Sequence, residues 1–229
     1  MIHQESHLRN SDFITDIVIG MSDGLTVPFA LAAGISGAVS NNHIVILAGI
    51  AEIIAGAIAM GLGGYLAGKT EAEHYQSELK RETEEVETVP EKEKEEIKEI
   101  FLNYGFSEKS QEILVEELSK DKVKWIDFMM KFELSLDKPD PNRAAKSALT
   151  IGLSYMVGGA IPLIPYVFTG TPFEGLKISA VVTLLCLFTF GYFKSKATGQ
   201  PLIPGAIKVM IIGAVAASAA FLVAKLFGA

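Results

Sequence analysis

Cysteine and tryptophan each occur once in the 229 residues, and histidine four times. The single Cys186 lies in an apolar run, which excludes a disulfide framework and any cysteine-based metal site. Of the histidines, His3 and His7 fall in the N-terminal stretch and His43 between two apolar segments, while His74 completes Glu71-Ala72-Glu73-His74. Di-iron carboxylate proteins use two Glu-x-x-His motifs on facing helices. A membrane-attached di-iron oxidase would therefore have only one of its two Glu-x-x-His motifs. Basic residues are also in deficit, 20 against 27 acidic. An acidic chain repels phosphates, so nucleic acid is not an expected partner and cations are. The polar first dozen residues precede no short apolar core with a small-residue cleavage site, so no signal peptide is expected.

What is present is apolarity and charge in separate places. Hydrophobic residues make up 49% of the chain and charged residues 21%. Residues 69–141 hold 21 of the acidic and 12 of the basic residues, leaving only 6 acidic and 8 basic elsewhere. Five stretches reach the roughly 20 mostly apolar residues that cross a bilayer, at about 13–39, 44–68, 144–168, 175–194 and 201–226. The expected architecture is all-α: a polytopic membrane protein of five transmembrane helices, with a cytosolic helical metal-binding domain inserted between helices 2 and 3. Domain boundaries are expected at 1–68 (tail and spans one and two), 69–142 (acidic insert) and 143–229 (spans three to five). Arg9, Lys69, Arg143, Lys146, Lys194 and Lys196 crowd one side, whereas loops 40–43 and 166–174 carry only Glu174. By the positive-inside rule the N-terminus and the insert are cytosolic and the C-terminus lies opposite.

Local signals sketch the insert. Span two has no stop signal, so its helix should continue to about Thr88. Pro90 suits the first turn of a second helix that Gly105 ends, Ser107 and Glu108 open a third, and Asp121 caps a fourth. Pro165 to Glu174 is read as the turn between spans three and four. Gly24 and Pro28 could unwind or kink span one.

Asp23 and Glu52 sit inside bilayer-length apolar stretches. Ionisable groups there usually face a cavity, a partner or a transported ion. Met60 lies eight residues beyond Glu52, about 80° away in azimuth. Two hard ligands and a soft thioether suit a transition metal, and desolvated carboxyls suit protons. Met60 as simple packing stays open, as does a pairing of Lys208 with Asp16. In the insert, Glu82 with Glu85 and Glu93 with Glu96 share helix faces, and Met129 and Met130 precede Glu133. These residues suggest a divalent site for Fe²⁺ or a similar metal. The competing reading is a solvated glutamate face paired with Lys92, Lys94 and Lys98, over core methionines.

These residues resemble the vacuolar iron transporter family, above all its plant members. The resemblance rests on Ser22-Asp-Gly-Leu-Thr-Val-Pro-Phe-Ala-Leu31, on Ala51-Glu52 through Ala59-Met-Gly-Leu-Gly-Gly-Tyr-Leu66, and on the acidic insert. It implies a homodimer in the vacuolar membrane that moves Fe²⁺ from cytosol to vacuole in exchange for H⁺, without a permanently bound cofactor and without enzymatic activity. It implies that Asp23, Glu52 and Met60 form the translocation site. It further implies that Glu82, Glu85, Glu93, Glu96, Met129, Met130 and Glu133 bind metal, Fe²⁺ or another divalent transition metal. A channel or uniporter without proton coupling is the alternative.

Overall fold

The computed structural model describes residues 11–227; His3, His7 and Arg9 lie outside them. Its elements are eight helices: α1 (Ser11–Ser36), α2 (Asn42–Thr88), α3 (Pro90–Asn103), α4 (Glu108–Ser119), α5 (Lys122–Phe132), α6 (Arg143–Val167), α7 (Pro172–Ala197) and α8 (Leu202–Phe227). The chain divides into two compact units, one of residues 1–66 with 144–229 and one of residues 67–143. Helix α2 runs unbroken through 47 residues, so each unit holds part of it.

In the first unit, α1, the start of α2, α6, α7 and α8 are each long and apolar enough to cross a membrane. Large apolar side chains such as Ile54, Ile58, Leu153, Leu185 and Val215 stand exposed on them, as expected of surfaces that face lipid rather than water. Between such helices, close backbone approach takes the place of the hydrophobic effect, and small residues permit it. A Cβ on Gly20 would run into the Ile151 carbonyl, and one on Gly24 into the Tyr155 backbone. Helix α1 therefore lies directly on α6. On the other side of α6, a Cβ on Gly56 of α2 would meet the Tyr155 ring and hydroxyl. Helices α7 and α8 pack on each other and on α1. Phe29, Ala33 and Ala217 fill the seam where α1 meets α8.

Two local expectations are corrected. Span one does not unwind: α1 stays helical through Pro28, which is fully buried, and Gly24 serves close approach instead. The turn after span three is also shorter than expected. Helix α6 continues through both Pro162 and Pro165 to Val167, and Pro172 opens α7 behind a Thr171 N-cap. A proline deletes one backbone donor, and packing on both sides holds these helices where sequence alone suggested a break.

The second unit follows its local signals closely. Pro90 begins α3, Ser107 accepts from Ser110 N–H at the start of α4, and Asp121 accepts from Val123 and Lys124 N–H at the start of α5. Gly105, at φ +85°, takes the left-handed conformation that closes α3, with Phe106 N–H donating to the Phe101 carbonyl. Val86, Ile97, Val115, Trp125 and Met129 form its core.

Gly20→Val is expected to destabilise the folded protein by at least about 1–3 kcal/mol, because the clash is with backbone that cannot step aside. Gly170→Ala, whose Cβ would meet only Glu174 at 3.7 Å, is expected to be nearly neutral. Thermal unfolding of both variants in detergent checks the pair.

Candidate ion sites in the two units

Glu52 projects from α2 toward α6, where the Tyr155 hydroxyl donates to its Oε1. Its other oxygen, Oε2, is buried and has no hydrogen-bond partner. Tyr155 is 2% exposed, fixed by the backbone of Gly24 on one side and by Gly56 on the other. One tyrosine thus meets both helices that carry the carboxylates sequence singled out, Glu52 itself through its hydroxyl and Gly24, the neighbour of Asp23, through its backbone. Met60 is half-buried on the same helix as Glu52, roughly 12 Å along its axis.

Sequence reasoning missed Tyr155, because a tyrosine in an apolar span looks like ordinary packing or an interfacial anchor. The signal available was the need of a buried carboxylate for a donor. Asp16 had been noted only as a possible partner for Lys208. It is 3% exposed on α1 and accepts from the buried Ser147 of α6 at 3.1 Å. Lys208 is exposed on α8. Asp16 and Asp23 are two turns apart and so share one face of α1.

In the second unit the glutamates divide by environment. Lys92 pairs with Glu96 at 2.8 Å and Lys94 with Glu91 at 2.7 Å, while Lys98 reaches Glu95 only at 4.0 Å. Glu82 and Glu93, by contrast, turn inward and are 1% and 0% exposed. Carboxylate oxygens of Glu82, Glu85 and Glu93 lie within 4.8 Å of one another, as do those of Glu93, Glu96 and Glu133. Glu93 belongs to both groups, and neither of its buried oxygens has a hydrogen-bond partner. Arg81 offsets part of this charge, 3.5 Å from Glu82 and 3.6 Å from Glu85. Met129 and Met130 are both buried, Met129 within the apolar core. No histidine joins either group among the described residues, and His74 lies by Glu78 instead.

Burial, then the charges of Glu96 and Glu82, push the Glu93 carboxyl up to about 7. Burial, then Glu82 and Glu96, push Glu133 up to about 7 as well. Glu82 is raised by burial and by Glu85, against the lowering effect of Arg81. Packing like charges without counter-ions is unfavourable unless a cation or protons neutralise them. The donor set, all carboxylate oxygen with methionine nearby in sequence, fits a divalent metal.

The sign of the pH effect follows. A carboxyl near 7 in the folded state and near 4.5 when unfolded holds its proton more tightly when folded. Its protonation stabilises the fold at low pH, and that stability is lost as pH rises from about 4.5 to 7. Metal-free protein is expected to unfold in this unit at a higher temperature at pH 5.5 than at pH 8. Glu93→Gln should flatten the difference and weaken divalent-metal binding at least tenfold. Trp125, the single tryptophan and 4% exposed in this unit's core, reports both by fluorescence.

The VIT family model matches residues 14–225. Vacuolar iron transporter 1 of Oryza sativa subsp. japonica is 51% identical over 223 residues, covering 97% of this chain and 88% of that protein. Vacuolar iron transporter 1 of Arabidopsis thaliana is equally similar, over 89% of its length. Protein CCC1 of Saccharomyces cerevisiae is 40% identical over 224 residues, covering 94% of this chain and 69% of that protein. With the match running through both groups of candidate residues and all five long apolar helices, the chain belongs to the VIT family.

Proposed function

We propose that this protein is a proton-coupled carrier that moves Fe²⁺ from the cytosol into the vacuole. The observation that carries the reading is Glu52 itself. It is a carboxylate among bilayer-length helices, with one oxygen held by Tyr155 and the other buried without a partner. A group so placed is neutralised by a proton or by a cation, and exchange between them is antiport. The names of relatives about half identical to this chain supply the cargo and the organelle.

In this reading Asp23, Glu52 and Met60 receive Fe²⁺, the carboxylates by charge and the thioether by its preference for later transition metals. Arrival of the cation releases protons from Asp23 and Glu52, and protons from an acidic vacuole return to displace it. The second unit, on the cytosolic side, collects metal on Glu82, Glu85, Glu93, Glu96 and Glu133, with Met129 and Met130 as softer ligands, and supplies it to the membrane site. Manganese and other divalent transition metals are secondary cargo. The orphaned oxygens of Glu93 support the collecting role. Five spans are few to enclose a pathway, so the working form is a homodimer with the pathway at or near its two-fold axis. No catalysis is assigned. The one Glu-x-x-His motif ends in an exposed histidine apart from the carboxylate groups, which disfavours a di-iron oxidase.

Glu52→Gln keeps the size and an oxygen for Tyr155 but removes the charge. It is expected to reduce Fe²⁺ uptake into proteoliposomes at least 100-fold while the protein stays folded. Uptake by this variant at the wild-type rate would remove Glu52 from the mechanism.

A further inference from the structure

Glu52 has two oxygens, and the structure treats them differently. Oε1 is taken by the Tyr155 hydroxyl, while Oε2 is buried and unpartnered. Tyr155 cannot readily swing away. It is 2% exposed, its backbone lies against Gly24, and its hydroxyl and ring edge lie against Gly56. We infer that Tyr155 fixes the denticity of Glu52, leaving a single oxygen for the transported cation, and thereby sets which cations the membrane site accepts. This inference rests on the transport reading above and adds a residue and a selection rule to it.

The rule follows from coordination chemistry. Ca²⁺ collects six to eight oxygens in flexible geometry and often takes both oxygens of one carboxylate. With Oε1 committed to a hydroxyl held on α6, one of its lone pairs and its orientation are taken, which disfavours the bidentate binding such an ion prefers. A smaller transition-metal ion that accepts fewer ligands, one of them a thioether, loses much less. The site therefore discriminates by withholding an oxygen. Tyr155 acts through Glu52 and is a positioning residue, whether or not it touches the cation.

Tyr155→Phe removes the hydroxyl and keeps the ring that fills the space between α1, α2 and α6. The measurement is Fe²⁺ uptake into proteoliposomes against rising Ca²⁺, read as the Ca²⁺ concentration that halves uptake. That concentration is expected to fall about tenfold in Tyr155→Phe, the scale of losing one hydrogen bond to a charged group. Ca²⁺ held by the second unit affects wild type and variant alike and cancels in the comparison. Tyr155→Leu, which also removes the hydroxyl and adds no atom beside Gly56, is expected to shift the same way and decides the matter if Tyr155→Phe does not fold.

Fe²⁺ uptake that drops with unchanged Ca²⁺ sensitivity would make Tyr155 a structural residue and overturn the inference. So would variants indistinguishable from wild type in both respects. A wild-type protein that carries no Fe²⁺ would overturn the transport reading, and the inference with it.

Discussion

A carboxylate held among bilayer-length helices has to be solvated by the protein itself, and the Tyr155 hydroxyl does this for one oxygen of Glu52. The arrangement of the first unit follows from that contact. For Tyr155 to reach Glu52, α6 must lie against α2, and for its backbone to sit beside Gly24 it must also lie against α1. Gly20, Gly24 and Gly56 permit both approaches by offering no side chain. The apolar exterior and the glycine seams thus serve one end, which is to hold charge away from water while leaving part of it unsatisfied.

The second unit meets the same problem among charged helices. Its outer glutamates pair with lysines, yet Glu93 is fully buried and shared between two carboxylate groups. Its core is small, and Trp125 and Met129 lie beside Val86, Ile97 and Val115. Helices this short depend on packing more than on intrinsic propensity, so the repulsion among buried glutamates bears directly on the unit's stability. A cation or a proton relieves that repulsion, which couples occupancy to order.

How much of this was legible in the sequence depended on whether the signal was local. Caps and breakers mark helix ends within a few residues, so Pro90, Gly105, Ser107 and Asp121 fell where the chain turns. The length of the apolar runs gave the five long helices for the same reason. Prolines inside those runs misled, because Pro28 and Pro165 are accommodated by neighbours that a linear reading does not see. The pairs Glu82 with Glu85 and Glu93 with Glu96 were visible as helix-face spacing, as was the pairing of Glu96 with Lys92, but that Glu82 and Glu93 turn inward is a tertiary outcome. Tyr155 stands 103 residues from Glu52, and no spacing rule connects them.

The central claim, that metal movement is coupled to protons, is tested most directly by Fe²⁺ uptake into proteoliposomes with and without an inside-acidic pH gradient, with internal pH recorded alongside. The account expects uptake that is strongly accelerated by the gradient, and an interior that grows more alkaline as Fe²⁺ enters. Uptake of the same rate without a gradient, with no proton movement, would contradict it and leave Asp23 and Glu52 as ligands in a uniporter or channel.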